Sequence, residues 1–563
     1  MNPILLTIKY NNFWDKKKDK LFYRFIDVIL NFVKEIGVII MIAENKEKEI
    51  IDTYDVVVIG AGNGGLAATA QIAKAGKKVL LLEQHNLPGG FASSFVRGRF
   101  EFETSLHELA SYGPQENKGS IRTMLEDKFN LDAEFLRVPE AYRLILTNPE
   151  DKLDITLPFG IEDFIDTIEK EVPGSKASVQ KFFDVAQEIR EAFEYFGKTH
   201  GKPDQGILMK EYSNFLKTAA YSTKEVEDAL GIPDRAQDIL NGYWAYMGLP
   251  MSRINFTIYA SMVLVYILRG GYIPKNRSHE YTTAFDAKIR EYGGKIEYNT
   301  RVEKILVENG NVIGIETSKG DRIKTNYVIC NASPTLTYNK LIYPKSEVPE
   351  IAFKDVNARI HGLSGFCVYL GLDVSAEELG LKEYSYFIMD SMKTEKIYDS
   401  WKELKAPAGQ ATVVLNVVNP DCSPPGTCIM YITTLFKPEA WENIKPEDYF
   451  KIKNEIAEKL IKDFEQATGS SIRDHIEEIE VSTPVTYARF TRTYNGIIYG
   501  YEPESWDSLV PRLMMMGQDV YIKGLEFAGG FGRRVHGYSS AMSDGYTSAL
   551  LTLEKLSRKG DLQ

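Results

Sequence analysis

Residues 54–65 read YDVVVIGAGNGG, and the fold of this chain turns on them. The run 54–59 is apolar and β-branched, the pattern of a strand buried on both faces of a parallel sheet. Gly60, Gly62 and Gly65 come next with GxGxxG spacing. Leu66, Ala67, Ala68, Ala70, Ile72 and Ala73 then predict a helix of small residues, closed by Gly76. Residues 79–82 (VLLL) predict a second strand, and Glu83 ends it 23 residues after Gly60. Each part has a physical task. Gly60 permits a tight turn, Gly62 lets a pyrophosphate approach the backbone, and Gly65 lets the helix pack closely on the strand. The helix N-terminus offers free N–H groups and a partial positive charge to an anion. Glu83 is placed to accept hydrogen bonds from both ribose hydroxyls. The glycine motif alone carries little weight; inside the complete strand–turn–helix–strand unit with its acid, it specifies a dinucleotide site. The unit does not choose between nicotinamide and flavin dinucleotides.

The rest of the composition bounds the answer. At 563 residues the chain is too long for one core, which predicts two or three lobes. With 44% hydrophobic and 26% charged residues, it is neither disordered, collagenous nor a polytopic membrane protein. A net charge of −11 argues against a nucleic-acid partner. Four cysteines cannot build a disulfide framework, and no Cys/His cluster has metal-site spacing, so reduced thiols, a cytoplasmic location and no metal are expected. HExxH and GxSxG are absent. Residues 1–50 differ in character from the rest of the chain. Lys16, Lys17, Lys18 and Lys20 precede Phe22, Phe25, Ile26, Ile29, Phe32, Val33, Ile36 and Ile40, which recur at helical steps. Asp27, Lys34 and Glu35 spoil a spanning helix, and no small-residue cleavage site comes after it. Two readings stand: an in-plane anchor in peripheral contact with the inner face of a membrane, or translation that starts at Met41.

Beyond Glu83 and Gln84, the adjacent Gly89 and Gly90, with Phe91 next to them, bring a second backbone towards the pyrophosphate. Further along come FEFETSLH (100–107), GGKI (293–296) leading to Val302, TYNGIIYG (493–500), IKGLEFAGG (522–530) and VHGY (535–538). In this order the sequence resembles flavoproteins of the phytoene desaturase, carotenoid isomerase and retinol saturase family, over residues 54–556. The resemblance implies FAD, with adenine against the backbone of Val302. It also implies a closing flavin-binding segment that contains Gly529, Gly530, His536, Gly537 and Tyr538 and runs into a helix from about Ser540 to Lys555. The implied fold class is α/β: a Rossmann-like FAD-binding domain of the glutathione-reductase/amine-oxidase type with a discontinuous α+β substrate domain. After an N-terminal extension (1–50), residues 51–130, 276–338 and 483–563 would form the first domain, and 131–275 and 339–482 the second. Three departures stand out. Gly530 replaces the family's common acid, Phe91 stands where many relatives carry arginine, and Asn276-Arg277-Ser278 replaces a glycine-rich pair. No second GxGxxG is present, so a separate NAD(P)H domain is not expected.

The remaining segments predict the substrate side. Residues 142–147 and 153–157 read as strands, succeeded by aromatic-rich helices. Residues 254–268 (INFTIYASMVLVYIL) are too few to span a bilayer and read as a core helix or as the wall of a lipid-accepting tunnel. Residues 366–372, 412–417 and 429–436 read as an antiparallel sheet, and 312–316 with 321–330 as a hairpin returning into the nucleotide sheet. Catalytic candidates are His107, His536, Arg533 and Arg534, from segments that flank the flavin in similar proteins. An arginine beside the closing helix would favour an anionic reduced flavin or hold a substrate carboxylate. The expectation is an FAD-dependent oxidoreductase acting by desaturation, saturation or cis–trans isomerisation on a long apolar carotenoid, retinoid or unsaturated lipid. The alternatives are a flavin amine oxidase and a non-catalytic prenyl- or lipid-binding protein of the same fold. A chain beginning at Met41 is expected to keep full activity in a detergent-free assay; loss of activity there would instead favour the anchor.

Overall fold

The computed structural model describes residues 50–199, 202–507, 511–512, 521–532 and 536–560. The expectations for residues 1–49, and those for Arg533 and Arg534, lie outside the described residues. The strand Val56–Ile59 is buried along its whole length at the centre of a parallel five-stranded sheet. The strand order is Lys295–Glu297, Val79–Leu82, Val56–Ile59, Val328–Cys330 and Leu525–Phe527. Val57 pairs with Leu80 on one side and Val328 on the other. Three distant stretches of sequence therefore complete one sheet, which is why its apolar strands read as continuous runs.

The helices Asn63–Lys74, Ser278–Glu291 and Tyr538–Gly560 pack together against one face. The first and last touch backbone to backbone: a Cβ at Gly545 would lie 2.0 Å from the carbonyl oxygen of Gly64. A second sheet, with order Ile50–Thr53, Arg322–Lys324, Asn311–Thr317, Val302–Glu308 and Ile342–Tyr343, covers the other face. The expected hairpin divides between the layers. Asn311–Thr317 and Arg322–Lys324 pair antiparallel in this second sheet, and only Val328–Cys330 enters the parallel one. The reason is length: after Lys324, the chain crosses between layers through Thr325 to Tyr327 before it can align with Val57.

A seven-stranded sheet carries the other lobe, in the order Ile476–Ser482, Ser364–Leu372, Cys428–Phe436, Gly409–Val414, Ser385–Met389, Tyr142–Leu146 and Leu153–Leu157. The last two strands come from the earlier insertion and join through a parallel pairing with Ser385–Met389. All nine residues of Ser364–Leu372 are buried. Phe366, Val368 and Leu370 meet the helix Pro446–Thr468 on one face, while Cys367 and Tyr369 face the aromatic core on the other. The strand expected over 412–417 stops at Val414, because Leu415–Val418 turns helical and Asn416 bonds back to Ile429 and Ser423. The apolar run beginning at Ile254 forms the helix Phe256–Arg269, capped by the Asn255 side chain on the Thr257 N–H.

Gly545→Ala puts a methyl group where the Gly64 carbonyl stands. It is expected to destabilise the fold by about 1–3 kcal/mol in denaturant unfolding. The same change at Gly197, where nothing lies within 4 Å, should not destabilise it.

Candidate active site

A cavity of about 770 Å³ runs from the Gly60 turn into the aromatic lobe, within the ~300–1,000 Å³ of ligand sites. Its nucleotide end is built from glycine backbone. Gly60 has φ +91°, a conformation open to glycine. Gly62 caps the Asn63–Lys74 helix without a side chain, which leaves the first helical N–H groups facing the cleft. A Cβ at Gly62 would meet Asn331 Nδ2 at 2.8 Å. Opposite, the Gly89 N–H donates to the Ala61 carbonyl at 2.8 Å, and a Cβ at Gly90 would sit 3.4 Å from Gly62 Cα. Two glycine backbones thus face one another across a helix N-terminus, a cradle shaped for a diphosphate. Gly65 stays outside the cavity. Its missing Cβ would lie 1.9 Å from the Gly60 carbonyl oxygen, so its part is packing.

Glu83 is 7% exposed. Its Oε2 accepts from the Ala61 N–H at 2.7 Å and its Oε1 from the His85 N–H at 2.9 Å. Each oxygen keeps lone-pair capacity for a hydroxyl. Gln84 and Val302 line the same end. Phe91 lines the cavity beside Tyr487, with ring centroids 5.8 Å apart, and its carbonyl accepts from Tyr538 Oη at 2.7 Å. Gly529, Gly530, His536, Gly537 and Tyr538 line the far side, next to the N-terminus of the closing helix. A Cβ at Gly530 meets nothing within 4 Å, so this position opens onto free space. Arg277 adopts φ +68°, the left-handed conformation that a glycine would take, and its buried guanidinium donates to the carbonyls of Glu101 and Cys422. The glycine cradle, the paired acid and the continuing cavity fit a dinucleotide.

Both candidate histidines reach the cavity as neutral groups. His536 stacks on Tyr499, with centroids 4.1 Å apart at 7°, and its Nε2 donates to the Tyr246 carbonyl at 2.7 Å. His107 Nε2 lies 3.1 Å from Thr433 Oγ1, and the ring meets Tyr246 and Tyr431 edge-on. Burial pulls each imidazole down to about 4. The structure also brings in residues that sequence reasoning missed. Asn331 wedges among Gly60, Gly62, Gly64 and Gly529. Glu108 lines the cavity, and its Oε1 accepts from Tyr246 Oη at 2.9 Å. An acid within LHELA (106–110) was a readable signal; Tyr246, more than a hundred residues away, had none. At the deep end Trp244 stacks on Trp401 at 5.2 Å and 11°, joined by Phe387 and by Ile258, Met262 and Val265. The helix Phe256–Arg269 is therefore both core and tunnel wall. Among the described residues no group of His, Cys, Asp and Glu forms a metal site, and no helix is long and apolar enough to cross a membrane.

Fold and cleft together define a two-domain protein of the Rossmann dinucleotide-binding class. The profile of the NAD(P)-binding Rossmann-like domain matches residues 58–126. All-trans-retinol 13,14-reductase of Rattus norvegicus is 27% identical over 524 residues, covering 84% of this chain and 83% of that protein. Chloroplastic prolycopene isomerase of Daucus carota is 25% identical, covering 80% of this chain and 72% of its own length. Putrescine oxidase with bound putrescine shares the fold at TM-score 0.59 and 13% identity, covering 89% of this chain and 99% of that one. Over most of its length the chain is similar to the retinol reductases and prolycopene isomerases.

Gly62→Asp places a carboxylate against the cradle. Like-charge repulsion of several kcal/mol should cost on the order of a hundred-fold or more in dinucleotide affinity. Cofactor content of the purified variant checks this, and a full complement would contradict the assignment.

Proposed function

We propose that this protein is an FAD-dependent oxidoreductase acting on carbon–carbon double bonds of a long apolar molecule such as a carotenoid, retinoid or unsaturated lipid. The observation that carries this reading is the continuity of the cavity: one space joins the glycine cradle to a deep end walled by Trp244, Trp401, Phe387 and Ile258. In this reading residues 51–130, 276–338 and 483–563 hold FAD, and 131–275 with 339–482 hold the substrate. Gly60, Gly62, Gly89 and Gly90 take the diphosphate, Glu83 the ribose, and the Val302 backbone the adenine. Gly529, Gly530, Gly537 and Tyr538 border the isoalloxazine. Bound flavin supplies hydride exchange with carbon.

The chain's own residues position and enclose. Aromatic and aliphatic side chains exclude water and align an otherwise featureless polyene against the ring. His107 and His536, uncharged at neutral pH, act as fixed hydrogen-bonding walls. The closing helix points a partial positive charge into the cavity, which favours an anionic reduced cofactor; Arg533 and Arg534, just before it, would add to that field. In the reading that keeps residues 1–50 as part of the protein, a sparingly soluble substrate gives them a use as a peripheral anchor for an otherwise cytoplasmic enzyme.

Amine oxidation has one observation in its favour, because Glu108 among Tyr243, Tyr246 and Tyr266 is a setting an ammonium would seek. The test is anaerobic photoreduction of the yellow holoprotein, then reoxidation with retinoids, carotenoids or unsaturated fatty acids, and the reverse titration with amines. Polyenes are expected to reoxidise the reduced protein, and amines to leave the oxidised protein unchanged. Bleaching by amines alone would install the second reading. Colourless protein that takes up no FAD would end both.

A further inference from the structure

We propose that Glu108 is the acid that gives a proton to substrate carbon when a double bond is saturated. This inference rests on the proposed flavin-dependent action on double bonds. Glu108 is 5% exposed and lines the cavity between His107 and Leu109. Its Oε1 accepts from Tyr246 Oη at 2.9 Å, while its Oε2 is buried and has no hydrogen-bond partner. Tyrosines face it from the neighbouring elements. Tyr246 comes from the turn Gly242–Tyr246, with Tyr243 beside it. Tyr266, from the helix Phe256–Arg269, donates to the Glu108 carbonyl at 3.4 Å. Tyr384 donates to the carbonyl of His107. The charge that acts on it is that of Glu140, whose own carboxylate is held by the N–H groups of Tyr384 and Ser385 at 2.7 and 2.9 Å. Gly271 closes the remaining side, where a Cβ would lie 2.7 Å from Glu108 Cγ. Among the described residues no lysine or arginine pairs with it.

A buried carboxylate with one hydroxyl for support and a second carboxylate nearby keeps its proton. Burial, reinforced by Glu140, pushes Glu108 up to about 8. Glu103, Glu140 and Glu227 are raised too, but they lie outside the cavity and are bonded to Ser278, to Tyr384 and Ser385, and to Asn241 respectively. The two cavity histidines protonate only near 4, so neither stores a proton at neutral pH. Glu108 is the cavity acid that does.

A reduced flavin dinucleotide gives a hydride to one carbon and is oxidised. The π bond breaks, and its electron pair takes the proton from Glu108 Oε2 at the neighbouring carbon. The O–H bond breaks, the alkene is reduced, and the resulting carboxylate keeps the Tyr246 hydrogen bond until the product leaves and a solvent proton replaces the one given up.

The experiment compares wild type, Glu108→Gln and Glu108→Asp as FAD-loaded, pre-reduced proteins given a polyene. Because the acid must carry its proton, wild-type turnover should be level below about 8 and fall above it. Glu108→Gln should lose on the order of a hundred-fold or more in kcat with KM and FAD content unchanged, and Glu108→Asp should recover part of it. A readout free of turnover is the infrared C=O stretch of a protonated carboxyl in wild type at neutral pH, shifted in heavy water and missing from Glu108→Gln. An ionised Glu108 at neutral pH, or a Gln variant that saturates at the wild-type rate or is changed only in KM, overturns the proposal while the parent reading stands. Wild type that binds FAD but leaves every polyene untouched overturns both.

Discussion

Around Gly62, backbone from distant parts of the chain comes within a side chain's width of itself, and the rest of the structure depends on that approach. The Gly60 turn, the Gly89–Gly90 loop, Gly529 and, through Gly64, Gly545 of the closing helix all meet where a single Cβ would collide. Asn331 fills what remains, within 2.1–2.8 Å of the Cβ positions that Gly529, Gly64 and Gly62 lack. The arrangement leaves backbone N–H groups directed at one cleft, which is how a chain with net charge −11 can still offer an anion a site.

The second organising feature is dryness. The lobe beyond the cradle buries tyrosines, tryptophans and phenylalanines around the cavity and admits few polar groups. In such surroundings neutral forms win: the two histidines stay unprotonated and Glu108 stays protonated, each for want of solvation. Apolar walls therefore shape the cavity for its occupant and also set the protonation states of the groups that face it.

Much of this was legible in the residues themselves. The strand, turn, helix and acid from Tyr54 to Glu83 lie close in sequence and obey local rules, so periodicity and glycine placement were enough to give their geometry. The apolar run from Ile254 read as either a core helix or a tunnel wall; that it is both, with Ile258, Met262 and Val265 on the cavity, came from the packing. Phe91 and Arg277 read as departures; in three dimensions Phe91 packs on Tyr487, and Arg277 takes the left-handed backbone itself while bridging Glu101 and Cys422. The hairpin over 312–330 was misplaced because strand pattern says nothing about which layer a strand joins.

What the sequence determined by itself was chemistry that neighbours in the chain can specify: a dinucleotide cradle, its acid partner and an apolar second lobe. What only the tertiary structure decided was which distant side chains share the cavity. Tyr246 beside Glu108, Tyr499 on His536 and Trp401 on Trp244 are pairs made by sheet order and helix packing. The physical reason is that burial and hydrogen bonding act through space, so a carboxyl's proton is set by the walls the fold closes around it, not by its neighbours in the chain.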